Sequence, residues 1–257
     1  MKLDETIKTI INSTPRPGES LRRRHAENTK YEITKKNKRG QRTLYRIRAL
    51  KNFGEVKAGD LGGWIEGESN LSQEGKAWDS GDAQVSGDAQ VSGDAWVSGD
   101  AQVFGNAKVF GDAEISEYAE VSGDAQVYEK AWVYGKALVF GNAQVFGNAE
   151  VYGDAKVSGK AWVYEAAQVY GDAQVSEDAQ VSAKAWVYGD AKVYGKAVVF
   201  GNAQVYGDAE VSGDAEVSGD AQVYGKAWVS RDAKVSGDAV VFRKAQVSRD
   251  AEVSGKK

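Results

Sequence analysis

Few side chains in this 257-residue chain could carry chemistry. There is no cysteine and a single histidine, His25. A thiolate nucleophile, a disulfide and a cysteine zinc site are therefore excluded, and no second histidine exists to complete an imidazole metal site. Carboxylates are plentiful, and Asp82 and Asp100 stand 18 residues apart. Both follow a glycine, however, where aspartate ordinarily serves a turn. No catalytic residue, metal ligand or cofactor is assigned, and the chain is expected not to be an enzyme. What remains is the chemistry of binding, through aromatic rings and through charge.

The rings are ordered by a repeat. Residues 75–254 divide into 30 consecutive hexads of the form Gly–Asp/Asn/Lys–Ala–x–Val–Ser/Tyr/Phe. The third letter is always Ala, and the fifth is Val except at Asp79 and Ile115. Ala and Val two apart share one face of a strand, and the residue between them points the other way. Gly followed by Asp or Asn supplies a corner. A short strand and a corner repeated thirty times predict a parallel β-solenoid.

Aromatic sixth letters set the coil length. Every third hexad gives the column Tyr134, Tyr152, Tyr170, Tyr188, Tyr206, Tyr224 and Phe242, at a spacing of 18 residues. The same side holds Trp78, Trp96, Trp132 and Trp186. The other two columns are mixed, with Phe104, Phe140 and Tyr194 in one and Phe110, Tyr128, Phe146, Tyr164 and Phe200 in the other. Eighteen residues per coil predict an all-β, three-sided prism of about ten coils, roughly 48 Å long at ~4.8 Å per stacked strand. An inward slot shared by Ser and Tyr would leave voids or clashes, so the rings must stand outside as a ladder. That ladder is either a device of the fold or a surface that docks a partner through the column and Trp132 and Trp186.

The word resembles the hexapeptide repeat of left-handed β-helix proteins, with Val and Ala in its aliphatic and small slots; the left hand is implied by that resemblance. The segment TLYRIRALKNFGEVKAGDLGGWIEGESNLSQEGKAW (43–78) resembles the N-terminal module of hexapeptide-repeat proteins from phages, prophages and bacteria, often labelled acyltransferases. Acyltransferases of this class generally use a histidine base, and carbonic anhydrases of the fold bind zinc through histidines. Here His25 lies before the coils, and no loop interrupts the hexads to wall off an acyl donor. Ice binding through outward threonines is also excluded, because residues 75–257 contain none.

Four segments are expected. Residues 1–29 form a short helix, carrying Leu3, Ile7, Ile10 and Ile11 on one stripe, and a basic linker. Residues 30–74 form an N-terminal hairpin cap, with strands at 30–36 and 41–50 and Tyr45, Ile47 and Ala49 alternating. Trp64, Ile65 and Leu71 keep six-residue phase before a two-residue slip into the first hexad. Residues 75–254 are the solenoid, and 255–257 a tail. Arg231, Arg243 and Arg249 take the glycine slot in the last coils, as charged gatekeepers of an edge or as part of a homodimer contact.

Charge is divided unevenly. Residues 1–74 carry 16 Lys/Arg against 10 Asp/Glu, and 75–257 carry 17 against 27, so +6 and −10 make up the net −4. The basic head includes Arg22, Arg23, Arg24, Lys35, Lys36, Lys38 and Arg39. It either binds nucleic acid or folds back onto the acidic prism. The prism itself could mimic nucleic acid toward a basic groove. With no signal peptide and no apolar run of membrane length, the expected setting is cytoplasmic, without membrane contact. The reading is a phage or prophage accessory protein that binds a host protein, with an oligomer-forming rod as the rival.

Overall fold

A computed structural model describes residues 29–39 and 42–255. The expected leading helix, Arg22–Arg24 and His25 lie outside the described residues. Among those described there is no α-helix, only a short 3-10 turn at Glu68–Asn70. No described helix is long and apolar enough to cross a membrane.

The chain opens with an antiparallel hairpin of β1 (Tyr31–Arg39) and β2 (Arg42–Ala49), followed by β3 (Leu61–Ile65). Thirty short strands follow, one per hexad, from β4 (Trp78–Asp79) to β33 (Glu252–Ser254). They form three sheets, each lining one side of a prism. Face I runs from β4 to Val240–Val241. Face II contains the hairpin and β3 and ends at Gln246–Ser248. Face III runs from Gln90–Val91 to Glu252–Ser254.

Within the hexads, successive strands of a face pair in parallel at a spacing of 18 residues, as in Glu114↔Trp132 and Gln126↔Gln144. Parallel strands require a crossover connection, and here the other two sides of the coil supply it. The amide of Asp82 donates to Gly99 O at 2.8 Å, that of Gln84 to Ala101 O at 2.9 Å, and that of Ser86 to Val103 O at 2.9 Å. The same pattern repeats along the prism and takes up the corner amides as well as those of the strands. Inside, the Ala and Val columns are fully buried over most of the length. Two residue sizes in fixed positions keep the cross-section constant, which is what permits identical stacking from coil to coil.

Corners run through the left-handed region of backbone space. Gly153 has φ +73°, and a Cβ placed there would sit 3.0 Å from the amide nitrogen of Gly171 in the next coil. Eight corners nonetheless hold a side chain at φ near +60°, among them Glu117, Glu165, Ala183, Arg231, Arg243 and Arg249.

The two-residue slip marks where the solenoid starts. Trp64 and Ile65 pair with Gln84 and Val85, and Leu71 bridges to Val91, each at a spacing of 20. Ile65 and Leu71 thus fill the Val positions of an incomplete coil that precedes the hexads. The tract GESNLSQ holds it in place. Asn70 Oδ1 accepts from the amides of Glu66 and Gly67, while its Nδ2 donates to Gly87 O and Ala89 O, both at 2.9 Å. Gln73 Oε1 accepts from the amide of Lys30 at 2.8 Å, tying the hairpin to the coil.

Candidate interaction face

Face I is built from two outward rows, the fourth and sixth letters of its hexads, because the fifth letter points inward. The sixth-letter row is the ladder. Tyr134, Tyr152, Tyr170, Tyr188, Tyr206 and Tyr224 stack with centroids 4.8–4.9 Å apart and planes within 9°, and Phe242 closes the column at 5.6 Å. Each interior ring is covered on both sides by its neighbours, so the ladder presents ring edges and hydroxyls to solvent. Arg243 lies over Phe242 at 5.3 Å, covering the terminal ring.

The hydroxyls bind across to the fourth-letter row of the next coil. Tyr134 Oη donates to Glu150 Oε2 at 3.4 Å, Tyr188 Oη to Gln204 Oε1 at 3.4 Å, and Tyr206 Oη to Gln222 Oε1 at 3.3 Å. Partial burial raises the pKa of Tyr152, Tyr170, Tyr188 and Tyr206, with neighbouring tyrosines or Glu150 adding to it. Tyr134 is pushed up to about 12, by burial first and then by the charges of Glu150 and, more weakly, Glu117.

The tryptophans of the prism separate by what they touch. Trp78 is buried under the cap, edge-on to Phe53 at 5.3 Å and to Tyr31 at 6.4 Å. Trp96 packs against the core cluster. Trp162 on face III stands edge-on to Phe146 and Tyr164, and Trp228 on face II donates Nε1–H to Ser212 Oγ at 3.2 Å. The indoles of Trp132 and Trp186 on face I make no ring contact or hydrogen bond among the described residues, and these residues are 47% and 40% exposed. They are the open rings of this face.

A second ladder, Phe110–Tyr128–Phe146–Tyr164, stacks on face III at 4.9–5.1 Å. The sequence carries its signal in four consecutive aromatics at spacing 18. Ser182 then interrupts before Phe200, so the column reads as mixed. Face II has isolated rings only, and Arg42 of the hairpin covers Phe104 at 5.9 Å.

The basic head is divided. Lys35 and Lys36 are exposed on β1, and Lys38 and Arg39 end that strand. Two of the three arginines of β2, Arg42 and Arg46, fold back onto the prism, while Arg48 pairs with Glu32 of β1. Arg46 Nη1 bonds Asp82 Oδ1 at 3.2 Å and lies over the Trp64 ring at 5.1 Å. Trp64 Nε1–H donates to the same Asp82 oxygen at 3.2 Å. Lys30 is buried, donates Nζ–H to Ala77 O at 2.7 Å, and has its pKa lowered to about 8 by that burial.

Residues 83–99 match the family model of the YdcK beta solenoid repeat. The match spans about one coil, and the 18-residue register and three sheets extend the same architecture along the prism. No curated protein matches the chain.

Proposed function

We propose that the chain is a non-enzymatic β-solenoid whose face I binds a protein partner. The observation that carries this reading is the stacked ladder from Tyr134 to Phe242 with the open indoles of Trp132 and Trp186 beside it. Large aromatic side chains dominate binding energy at protein interfaces, and a contiguous exposed patch on a rigid support is where partners dock. The hexads hold no histidine or cysteine to act as base or nucleophile. The resemblance of residues 43–78 to phage and prophage proteins supports an accessory role on a host factor in the cytoplasm. Inhibition of a defence protein, by nucleic-acid mimicry through the acidic body, is within that role.

Affinity purification from host lysate with a Tyr152→Ser/Tyr170→Ser/Tyr188→Ser variant tests the reading. A protein retained by the wild type and lost by the variant is the expected result, and equal recovery by both overturns it. A clear calorimetric isotherm with acetyl-CoA would overturn the non-enzymatic part.

A second reading, a structural or self-associating rod, is favoured by one observation: interior rings of the ladder cover one another without any partner. Light scattering separates the two, since a rod that self-associates through face I becomes monomeric in the same variant.

A further inference from the structure

Charge sorts the three faces differently from aromaticity. Among the described coils, the fourth and sixth positions of face II include Lys156 and Lys192, and those of face III include Lys108 and Lys234. Face I has no lysine or arginine in either row, and its two charged residues there are Glu114 and Glu150. Both are register partners of Trp132, one on the strand before it and one on the strand after. The exposed indole therefore stands between two carboxylates.

This arrangement lies in a shallow depression of about 370 Å³, lined by Asp112, Glu114, Lys130, Trp132, Asn148 and Glu150. Three carboxylates there face one ammonium, and Lys130 is exposed at the corner. Tyr134 adjoins it. One side of its ring stacks on Tyr152, but one coil earlier the column holds Ser116, so its other side carries no ring. Its hydroxyl is bound to Glu150, and the charge of Glu117 acts on it from the adjoining corner.

We infer that this end of face I receives an arginine-bearing segment of a protein partner, with a guanidinium laid against the Trp132 indole between Glu114 and Glu150. The inference rests on face I being the docking face proposed above. A guanidinium is planar, stacks on aromatic rings and bonds carboxylates in a fork, so it uses both components of the site at once. A phosphate backbone or an acidic segment meets like charge here and is rejected.

Calorimetric titration of the full chain with heptaarginine, heptaglutamate and a single-stranded DNA oligonucleotide tests this. Heptaarginine is expected to bind, and Trp132→Ala and the Glu114→Gln/Glu150→Gln double variant each weaken it by about tenfold. Trp162→Ala, which removes an exposed indole from face III, leaves it unchanged. All of these side chains point outward, and an unaltered thermal midpoint verifies that the variants fold. Equal weakening by Trp132→Ala and Trp162→Ala, or no binding of heptaarginine, overturns the inference. Binding of heptaglutamate or DNA that is lost in Trp132→Ala overturns the cation assignment while leaving face I as a docking face. A face I variant that loses no partner in the purification above removes the docking reading itself.

Discussion

Asp79 pairs in register with Val97 and so places a carboxyl in the inward column that holds Val or Ile in every later coil of face I. It is fully buried, and neither carboxyl oxygen has a hydrogen-bond partner among the described residues. The Trp64 amide lies near enough to hold its pKa down somewhat, but that N–H is committed to Ala83 O at 2.9 Å. Burial dominates and raises the pKa well above the usual carboxylate range. The folded state therefore holds the proton more tightly than the unfolded chain. Its contribution is most favourable below the unfolded value of about 4 and is lost as pH rises toward the folded value. Asp79→Val is expected to be more stable than the wild type at pH 7 by about 2 kcal/mol, with a smaller difference at pH 4, as read by urea denaturation.

Gly63 is the counterpart of that carboxyl. A Cβ on Gly63 would fall 2.4 Å from Asp79 Cγ and both its oxygens. Gly63→Ala is expected to cost about 2 kcal/mol, and much less when Asp79→Gly is also present. A double-mutant cycle by thermal denaturation measures the coupling; additive effects would show that the clash is relieved elsewhere.

The corners that lack glycine store strain. Glu165 and Ala183 sit at φ 60° in consecutive coils of one corner. Glu165→Gly and Ala183→Gly are each expected to stabilise the solenoid by about 1 kcal/mol, seen as a raised thermal midpoint.

Ladder position should grade the cost of losing a ring. Tyr170 is stacked on both sides, whereas Phe140 on face II has no ring neighbour among the described residues. Tyr170→Ala is expected to cost about 1–2 kcal/mol and Phe140→Ala less than half of that, by denaturant titration.

Alkaline titration reads the same ladder. Tyr134 is pushed up to about 12, and four further tyrosines of the column are raised. Their folded values exceed the unfolded value of about 10, so the stability they contribute is whole below that pH and is lost as pH rises through the folded values. Absorbance at the phenolate band should show these tyrosines ionising later than in the denatured chain. Tyr152→Phe/Tyr170→Phe/Tyr188→Phe should narrow the gap.

Much of this was legible because the repeat is a local code. Ala and Val two apart with a glycine corner specify one strand and one bend, and the spacing of Tyr134 to Phe242 specifies the coil. The hairpin was legible from the alternation around Ile47. The second ladder was present in the spacing of Phe110 to Tyr164 but was masked by the break at Ser182.

The sequence by itself determined which residues point inward, the 18-residue period and the column of rings, since each depends only on neighbours within one hexad or one coil. Tertiary structure decided which rings remain available. Trp78 and Trp132 occupy the same letter of the same column, yet Tyr31 and Phe53 of the cap bury the first, while the second stands between two glutamates in the open. That difference arises from packing between segments far apart in the chain. No periodicity within the hexads encodes it.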